Sequence, residues 1–432
     1  MAWQQCQVST GERTWPADRW KKTLSHLVFR ALIRLRVSLK ALAKQPACVI
    51  NLCDSRFTKW MGFQRDLKRE DVFMRKLSAA FLVLVVSLTG QFAEADSETA
   101  PPFEQILKID VHAHVFEDIP VFAEMMNRIN LRIVNICVRG NNLAIMRLME
   151  ERAESIHNHY PQQFYFASTF DLTKRNEPDY AEQVTAWLDK SFEAGAVMTK
   201  IWKEVGMEMK TPTGEYLMPD DPVFDPVYKH LTMRGKPLLA HLAEPVAAWL
   251  PLDPESVHYG YYSANPEWHV YGREGFPSHA TILAARDRIL EKHPDLIFIG
   301  AHCGSMSHDV DEIAKRLDRY PNFYVEVSAR TRDLSRQPAE KVRNFFIKYQ
   351  DRIMYGTDLG RWPERDGSPG DNQQVRFTKN AEKMYRNDYK YYAGAGKVGM
   401  GGKEADCLNL PQQVLEKFYH KNAQRLIPGL AD

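Results

Sequence analysis

His112 and His114 lie two residues apart in the stretch Leu107-Lys108-Ile109-Asp110-Val111-His112-Ala113-His114-Val115-Phe116. Ile109 and Val111 are apolar and β-branched, so the stretch reads as a buried strand. Side chains two apart on a strand point the same way. The strand therefore presents two imidazoles side by side, as a pair of metal ligands requires. Asp110 stands one step back on that same side, where it could orient a ligand. With 14 His in 432 residues, a His-x-His pair arises by chance about 0.4 times, so the spacing needs company. His157-Asn158-His159 has the same spacing but ends the helix-like run Leu143–His159, where residues two apart face nearly opposite ways. That second pair reads as structural.

The elements that would position such ligands begin at Ile106, where short apolar runs alternate with helix-length amphipathic stretches. The sequence predicts strands over 106–112, 132–138, 164–169, 196–202, 237–241, 296–302, 323–328 and 352–357. It predicts helices over 142–157, 179–193, 223–233, 280–292, 309–319 and 338–348, and a closing helix over 411–426. Eight such units in about 325 residues point to an α/β protein of the (β/α)8 barrel type. Near-continuous apolar strands fit a parallel sheet covered on both faces. A doubly wound sheet is the other arrangement this alternation allows, and no GxGxxG or P-loop pattern accompanies it.

Barrel active sites form at the C-terminal ends of the strands. Those ends carry His112 and His114 on the first strand, Lys200 on the fourth, His241 on the fifth and His302 on the sixth. The seventh carries Glu326, Ser328 and Arg330, and the eighth carries Asp358. Taken singly, each has an ordinary reading as a hydrogen-bonded core histidine or a helix-capping aspartate. Four imidazoles, a lysine and a carboxylate converging on one rim do not.

These residues fall in motifs that resemble the amidohydrolase superfamily, in particular its amidohydrolase family 2 branch of aminocarboxymuconate-semialdehyde decarboxylase-like enzymes. The carriers are D-V-H-A-H at the first strand, T-K-I at the fourth, A-H-L at the fifth, G-A-H-C-G at the sixth, Y-G-T-D at the eighth, and the closing L-P-Q-Q-V-L-E-K-F-Y-H-K-N-A-Q-R-L. The resemblance implies that His112, His114, His241 and Asp358 hold a divalent metal, with Zn²⁺ suited to three nitrogens and one oxygen. It implies a water whose pKa the metal brings to about 7, with Asp358 shuttling its proton and His302 either as the second acid/base or polarising the substrate carbonyl. One metal per chain is expected, with Lys200 contacting substrate; the alternative is a carboxylated Lys200 bridging two metals. Arg330 suits a substrate carboxylate, which a guanidinium binds through two donors.

The expected activity is hydrolysis of an amide, ester or lactone of a small molecule. The rival is decarboxylation of a small unsaturated or aromatic acid with the same ligands. A non-catalytic binding barrel is the reading from another class. Two long connections, Glu244–His279 and Leu359–Leu408, are rich in aromatics and are expected to shape the pocket. His258, His269, His279 and His308 lie in or near such loops.

Composition sets the outer bounds. Apolar content of 44% and charged content of 26% describe an ordinary globular chain. The net charge of +2 hides a split: residues 1–73 carry +8, residues 74–95 carry +1 and residues 96–432 carry −7. A mildly acidic body argues against nucleic acid as the partner and leaves a small-molecule substrate. Met74-Arg75-Lys76, the apolar run Leu77–Thr89 and Ala93-Glu94-Ala95 have the three parts of a secretory signal. The apolar run is too short to span a bilayer comfortably. The expectation is translation from Met74, with 1–73 as upstream sequence, a signal over 74–95, and a secreted or periplasmic barrel over 96–432 with no stable membrane span once the signal is removed. The alternative is a basic cytoplasmic segment followed by an uncleaved anchor. Cys137, Cys303 and Cys407 are too widely spaced for a disulfide framework. A homodimer is the commonest soluble oligomer, though no patch in the sequence argues for one.

Overall fold

The computed structural model describes residues 100–362 and 370–430. The segments 1–73 and 74–95, including the expected signal, lie outside the described residues.

Eight parallel strands form the core of the barrel domain. They are β1 (Lys108–Val115), β2 (Leu131–Ile136), β3 (Phe164–Ser168), β4 (Met198–Ile201), β5 (Leu238–Ala240), β6 (Phe298–Gly300), β7 (Phe323–Glu326) and β8 (Ile353–Met354). Neighbours in sequence are neighbours in the sheet, and a ninth strand, β9 (Leu359–Arg361), pairs parallel with β1. Because β8 pairs with β7 and β9 with β1, the break at residues 355–358 lies inside what is effectively one closing strand. Two backbone hydrogen bonds, Val111 N–H to Tyr355 O at 3.0 Å and Asp358 N–H to His112 O at 2.7 Å, stitch that break to β1. The sheet thus closes into the predicted (β/α)8 barrel.

The helices expected between strands are present. They are α2 (Leu143–His159), α3 (Tyr180–Glu193), α4 (Asp225–Arg234), α5 (His279–Lys292), α6 (Val310–Arg319) and α7 (Ala339–Lys348), and α1 (Pro120–Arg128) precedes them. Helix α1 is not among the helices expected from the sequence. A proline at its start and the buried Phe122, Met125 and Met126 mark it. The closing helix is three successive segments over 412–426, with a π turn at Lys417–Lys421. Strand β1 runs three residues beyond its expected end, so His112 and His114 both stay within the strand. Every residue of β1 is buried, as in a sheet covered on both faces.

The connection after β8 corrects an expectation. Residues 359–408 read as a long loop. They contain α8 (Asp371–Ala393), and the glycine-rich part is a hairpin of β10 (Lys397–Met400) and β11 (Lys403–Asp406). Gly401 and Gly402 turn that hairpin at φ of 59° and 82°, where a Cβ would be strained. Cys137, Cys303 and Cys407 are free thiols, the first two buried. His157 and His159 serve structure: one meets Phe164 O at 2.7 Å, the other Asp118 Oδ2 at 2.8 Å. Among the described residues, no helix is long and apolar enough to cross a membrane.

Candidate metal centre and active site

Left-handed backbone marks the rim where the strands end. Among non-glycine residues, Ala243 after β5, His302, Cys303 and Ser305 after β6, Ala329 after β7 and Asp358 after β8 all have positive φ. Such conformations cost roughly 1–3 kcal/mol each and persist where the surroundings dictate them. Here they turn the chain so that side chains which would follow the strand face the barrel mouth. Gly356 explains the glycine of Y-G-T-D: a Cβ there would lie 2.9 Å from Glu326 Oε2 and 3.3 Å from the His112 Cβ.

The rim brings the predicted residues together. His112 packs against His114 and His302 with ring centroids 5.2 and 4.8 Å apart, and His302 packs against His241 at 4.2 Å. Asp358 Oδ1 lies 3.2 Å from His114 Nε2 and 3.7 Å from His112 Nε2. His112, His114 and Asp358 offer ligand atoms within 4.8 Å of one another, as do His112, His302 and Glu326. His241 belongs to neither trio; its Nδ1 faces His302 Nε2 at 3.1 Å. Lys200 Nζ is buried 3.4 Å from His112 Nε2.

Glu326 is the organiser of this cluster, a role that its place at the end of β7 does not by itself reveal. Its Oε1 lies 2.8 Å from His112 Nδ1 and accepts the His302 backbone N–H at 3.0 Å. Burial works against its charge, but His112, His302 and the donors of Ser328 outweigh it and hold the carboxyl down at about 2. An ionised Glu326 takes a proton donor, so His112 carries its hydrogen on Nδ1 and keeps a lone pair on Nε2. The same logic runs through His302. Its Nδ1 donates to Ser328 O at 2.9 Å, so its Nε2 accepts from His241 Nδ1, which leaves a lone pair on His241 Nε2. That nitrogen is buried without a partner, as is His114 Nδ1. Burial holds the imidazoles neutral: His112 is pushed down to about 4, with the Lys200 charge adding, and His241 and His302 fall well below the usual range.

Asp110 acts on the ligand strand through its backbone. Its Oδ1 accepts the backbone N–H groups of His112 and Thr357, both at 3.0 Å, and its Oδ2 accepts Tyr385 O–H at 2.8 Å and the Thr357 hydroxyl. It ties the ends of β1 and the closing strand to α8 and makes no hydrogen bond to an imidazole ring. Trp362 stacks on His114 at 4.3 Å and shields it.

A cavity of about 590 Å³ opens above this cluster, within the range of small-molecule sites. His241, His302 and Asp358 lie at its base, and Arg330, His258 and Tyr261 are among its walls. Both long connections contribute, the first through Glu244 and His258, the second through Asn380, Met384 and the turn at Gly399–Gly401. Of the four loop histidines, His258 alone lines the cavity; His269 and His279 bond to Leu250 O and Ser305 O. The pair Lys203–Glu244 was not expected from the sequence. Both residues are buried and joined by an ion pair; Lys203 also donates to Tyr261 Oη at 2.9 Å and sits 3.6 Å over the Trp268 ring.

A family model described as Amidohydrolase matches residues 109–429. Among solved structures, 2,6-dihydroxybenzoate decarboxylase from Rhizobium is 15% identical, with a TM-score of 0.39 over 66% of this chain and 100% of that one. 4-Oxalomesaconate hydratase from Rhodopseudomonas palustris is 12% identical, with a TM-score of 0.42 over 75% of this chain and 96% of that one. 5-Carboxyvanillate decarboxylase from Sphingomonas paucimobilis is 12% identical, with a TM-score of 0.40 over 75% and 99%. The comparison with curated proteins gives no match.

Proposed function

The chain belongs to the amidohydrolase family, and from that membership we propose that it is a metal-dependent hydrolase acting on an amide, ester or lactone carbonyl of a small molecule. The observation that carries the reading is the pair of buried imidazole nitrogens left without a hydrogen-bond partner, His114 Nδ1 and His241 Nε2, in a cluster where Asp358 Oδ1 meets His114 Nε2 at 3.2 Å and His112 Nε2 at 3.7 Å. That is the chemistry of a cation site: borderline imidazole nitrogens joined by one carboxylate are a donor set suited to zinc. His112, His114, His241 and Asp358 would hold one divalent metal, most simply Zn²⁺. Bound there, it supplies Lewis acidity and a water of lowered pKa.

The chain's own groups do the rest. Asp358 is a third exposed, at 34%, so its carboxylate is open to the cavity and placed to take the proton of the attacking water. Withdrawal from water pushes its pKa up, but the His114 hydrogen bond and the facing imidazoles hold it well below the carboxylate range. The proton that Asp358 gains passes to the leaving group, and His302, anchored through Nδ1 to Ser328 O with a lone pair on Nε2, is the second acid/base. Lys200, pushed down to about 8 by burial against the pull of Glu326 and Asp358, lies fully buried 3.4 Å from His112 Nε2, where it would steady that imidazole or meet substrate that reaches past it. Arg330 takes a substrate carboxylate.

The test is turnover by metal-replete protein of carboxylate-bearing amides, esters and lactones, with acid production and CO₂ followed together. A new carboxylate without CO₂ supports the hydrolase. CO₂ without a new carboxylate replaces it with a decarboxylase on the same ligands.

A further inference from the structure

Arg330 is only 8% exposed and lines the cavity. Its Nη1 donates to Ala329 O at 3.2 Å, and its Nε has no hydrogen-bond partner among the described residues. Leaving a buried guanidinium donor unmade costs free energy, and the donor borders a space that can receive an acceptor. Three residues on, within the short helix Thr331–Leu334, stands Asp333, also buried and also on the cavity wall. Its Oδ1 accepts from His258 Nε2 at 2.8 Å and from Ser307 Oγ at 2.9 Å, and its Oδ2 has no partner. The Asp333 carboxyl is held below its usual range: burial raises it, but the His258 bond and the Arg330 charge win. Because the Asp333 carboxylate oxygen faces Nε2, the tautomer of His258 that makes this hydrogen bond carries its proton on Nε2 and offers Nδ1 as an acceptor. Among the described residues Nδ1 makes no hydrogen bond, and the ring lines the cavity. The wall therefore offers a buried cationic donor beside a carboxylate-oriented acceptor, neither of which the metal cluster uses.

We propose that this wall is a substrate subsite in which Arg330 takes a carboxylate and His258, held by Asp333, accepts a hydrogen bond from a hydroxyl of the same molecule. The substrate class is then a hydroxy acid or its acyl derivative. A carboxylate alone would satisfy Arg330 but leave Nδ1 unmet, and a plain alcohol would do the reverse. Asp333 is a positioning residue; Arg330 and His258 touch substrate. The inference takes from the proposed function only that this cavity receives the substrate, and its test needs no turnover.

The experiment is calorimetric titration of the full, metal-replete chain with phenylacetate, 3-hydroxyphenylacetate and 4-hydroxyphenylacetate. At least one hydroxylated probe is expected to bind about 10-fold tighter than phenylacetate, the worth of one well-made hydrogen bond. His258→Phe should erase that advantage while leaving phenylacetate affinity in place. Asp333→Asn should erase it too, by releasing the ring's tautomer, and carries the same comparison if His258→Phe does not fold. Arg330→Gln should weaken all three probes about 10-fold or more. Equal binding of the three, binding of none, or a hydroxyl advantage that survives loss of the His258 ring overturns the proposal. Failure of the hydrolase reading would show in the turnover assay and would leave this ranking unchanged.

Discussion

Glu326 and Ser328 hold His112 and His302 in place, and the consequences can be measured one residue at a time. Replacing a carboxylate that orients a ligating imidazole typically costs 10–100-fold in metal affinity. Glu326→Gln is therefore expected to weaken metal retention about 10–100-fold by competition with a chelator, with little change in the fold. His302→Asn and Asp358→Asn should lower turnover by about 10²–10⁴-fold, and His302→Asn should do so with metal retained. Unchanged turnover in both variants would show that neither residue takes part in the chemistry. At this scale the sequence is informative because imidazoles, a lysine and an aspartate at strand ends carry their own spacing signal. What it does not reveal is partnership. Glu326 lies 214 positions from His112, and no local pattern announces a contact at that separation. Lys203 and Glu244 look like ordinary charges, since burial of a charge is a property of the fold and not of its neighbours in sequence.

The elements set how firmly the cavity wall is held. Lys203 follows β4 and Glu244 follows β5, so their buried pair clips the aromatic connection to the barrel, with Tyr262 donating to Glu244 at 3.2 Å. Breaking a buried pair by removing one partner typically costs about 3–5 kcal/mol. Lys203→Met should lower the melting temperature accordingly, and Lys203→Met with Glu244→Leu should recover much of that loss. Full stability in the single variant would show that the pair does not clip the loop. On α2, Glu150 is buried against Ser168 and Ser191, and burial pushes its carboxyl up to about 7 despite those hydroxyls. The folded state then holds a proton that the unfolded chain has released, so the contribution is present below the unfolded pKa of roughly 4.3 and is lost as pH rises through about 7. Glu150→Gln should raise the melting temperature more at pH 8 than at pH 5. An equal shift at both would contradict the assignment. The barrel helices are plain in the sequence because their apolar stripes repeat cleanly. Helix α8 is not, although Ala381, Tyr385, Asp388 and Tyr392 are buried at spacings of one helical face. Tyrosines and charges dominate that face, so its apolar period is faint.

For the whole molecule, alternation narrows the fold to a parallel sheet covered on both faces, and the count of eight strand–helix units favours the barrel over a doubly wound sheet. Strand lengths are less legible. Six residues are expected in β8 from its apolar run, whereas only Ile353 and Met354 pair with β7, since the chain beyond them turns to seat Asp358 between β8 and β9. Export belongs to this scale too. We propose that the chain acts outside the cytoplasm, and mass spectrometry of the native protein should find a mature N-terminus near Asp96. Any peptide from 1–60 would contradict that start. The central claim is that His112, His114, His241 and Asp358 form a metal centre, and its most direct test is metal content. Plasma mass spectrometry of the purified protein, beside a His112→Ala/His114→Ala variant, should find about one zinc per chain in the first and almost none in the second. Metal-free protein purified without chelator, or metal kept by the variant, would contradict the account.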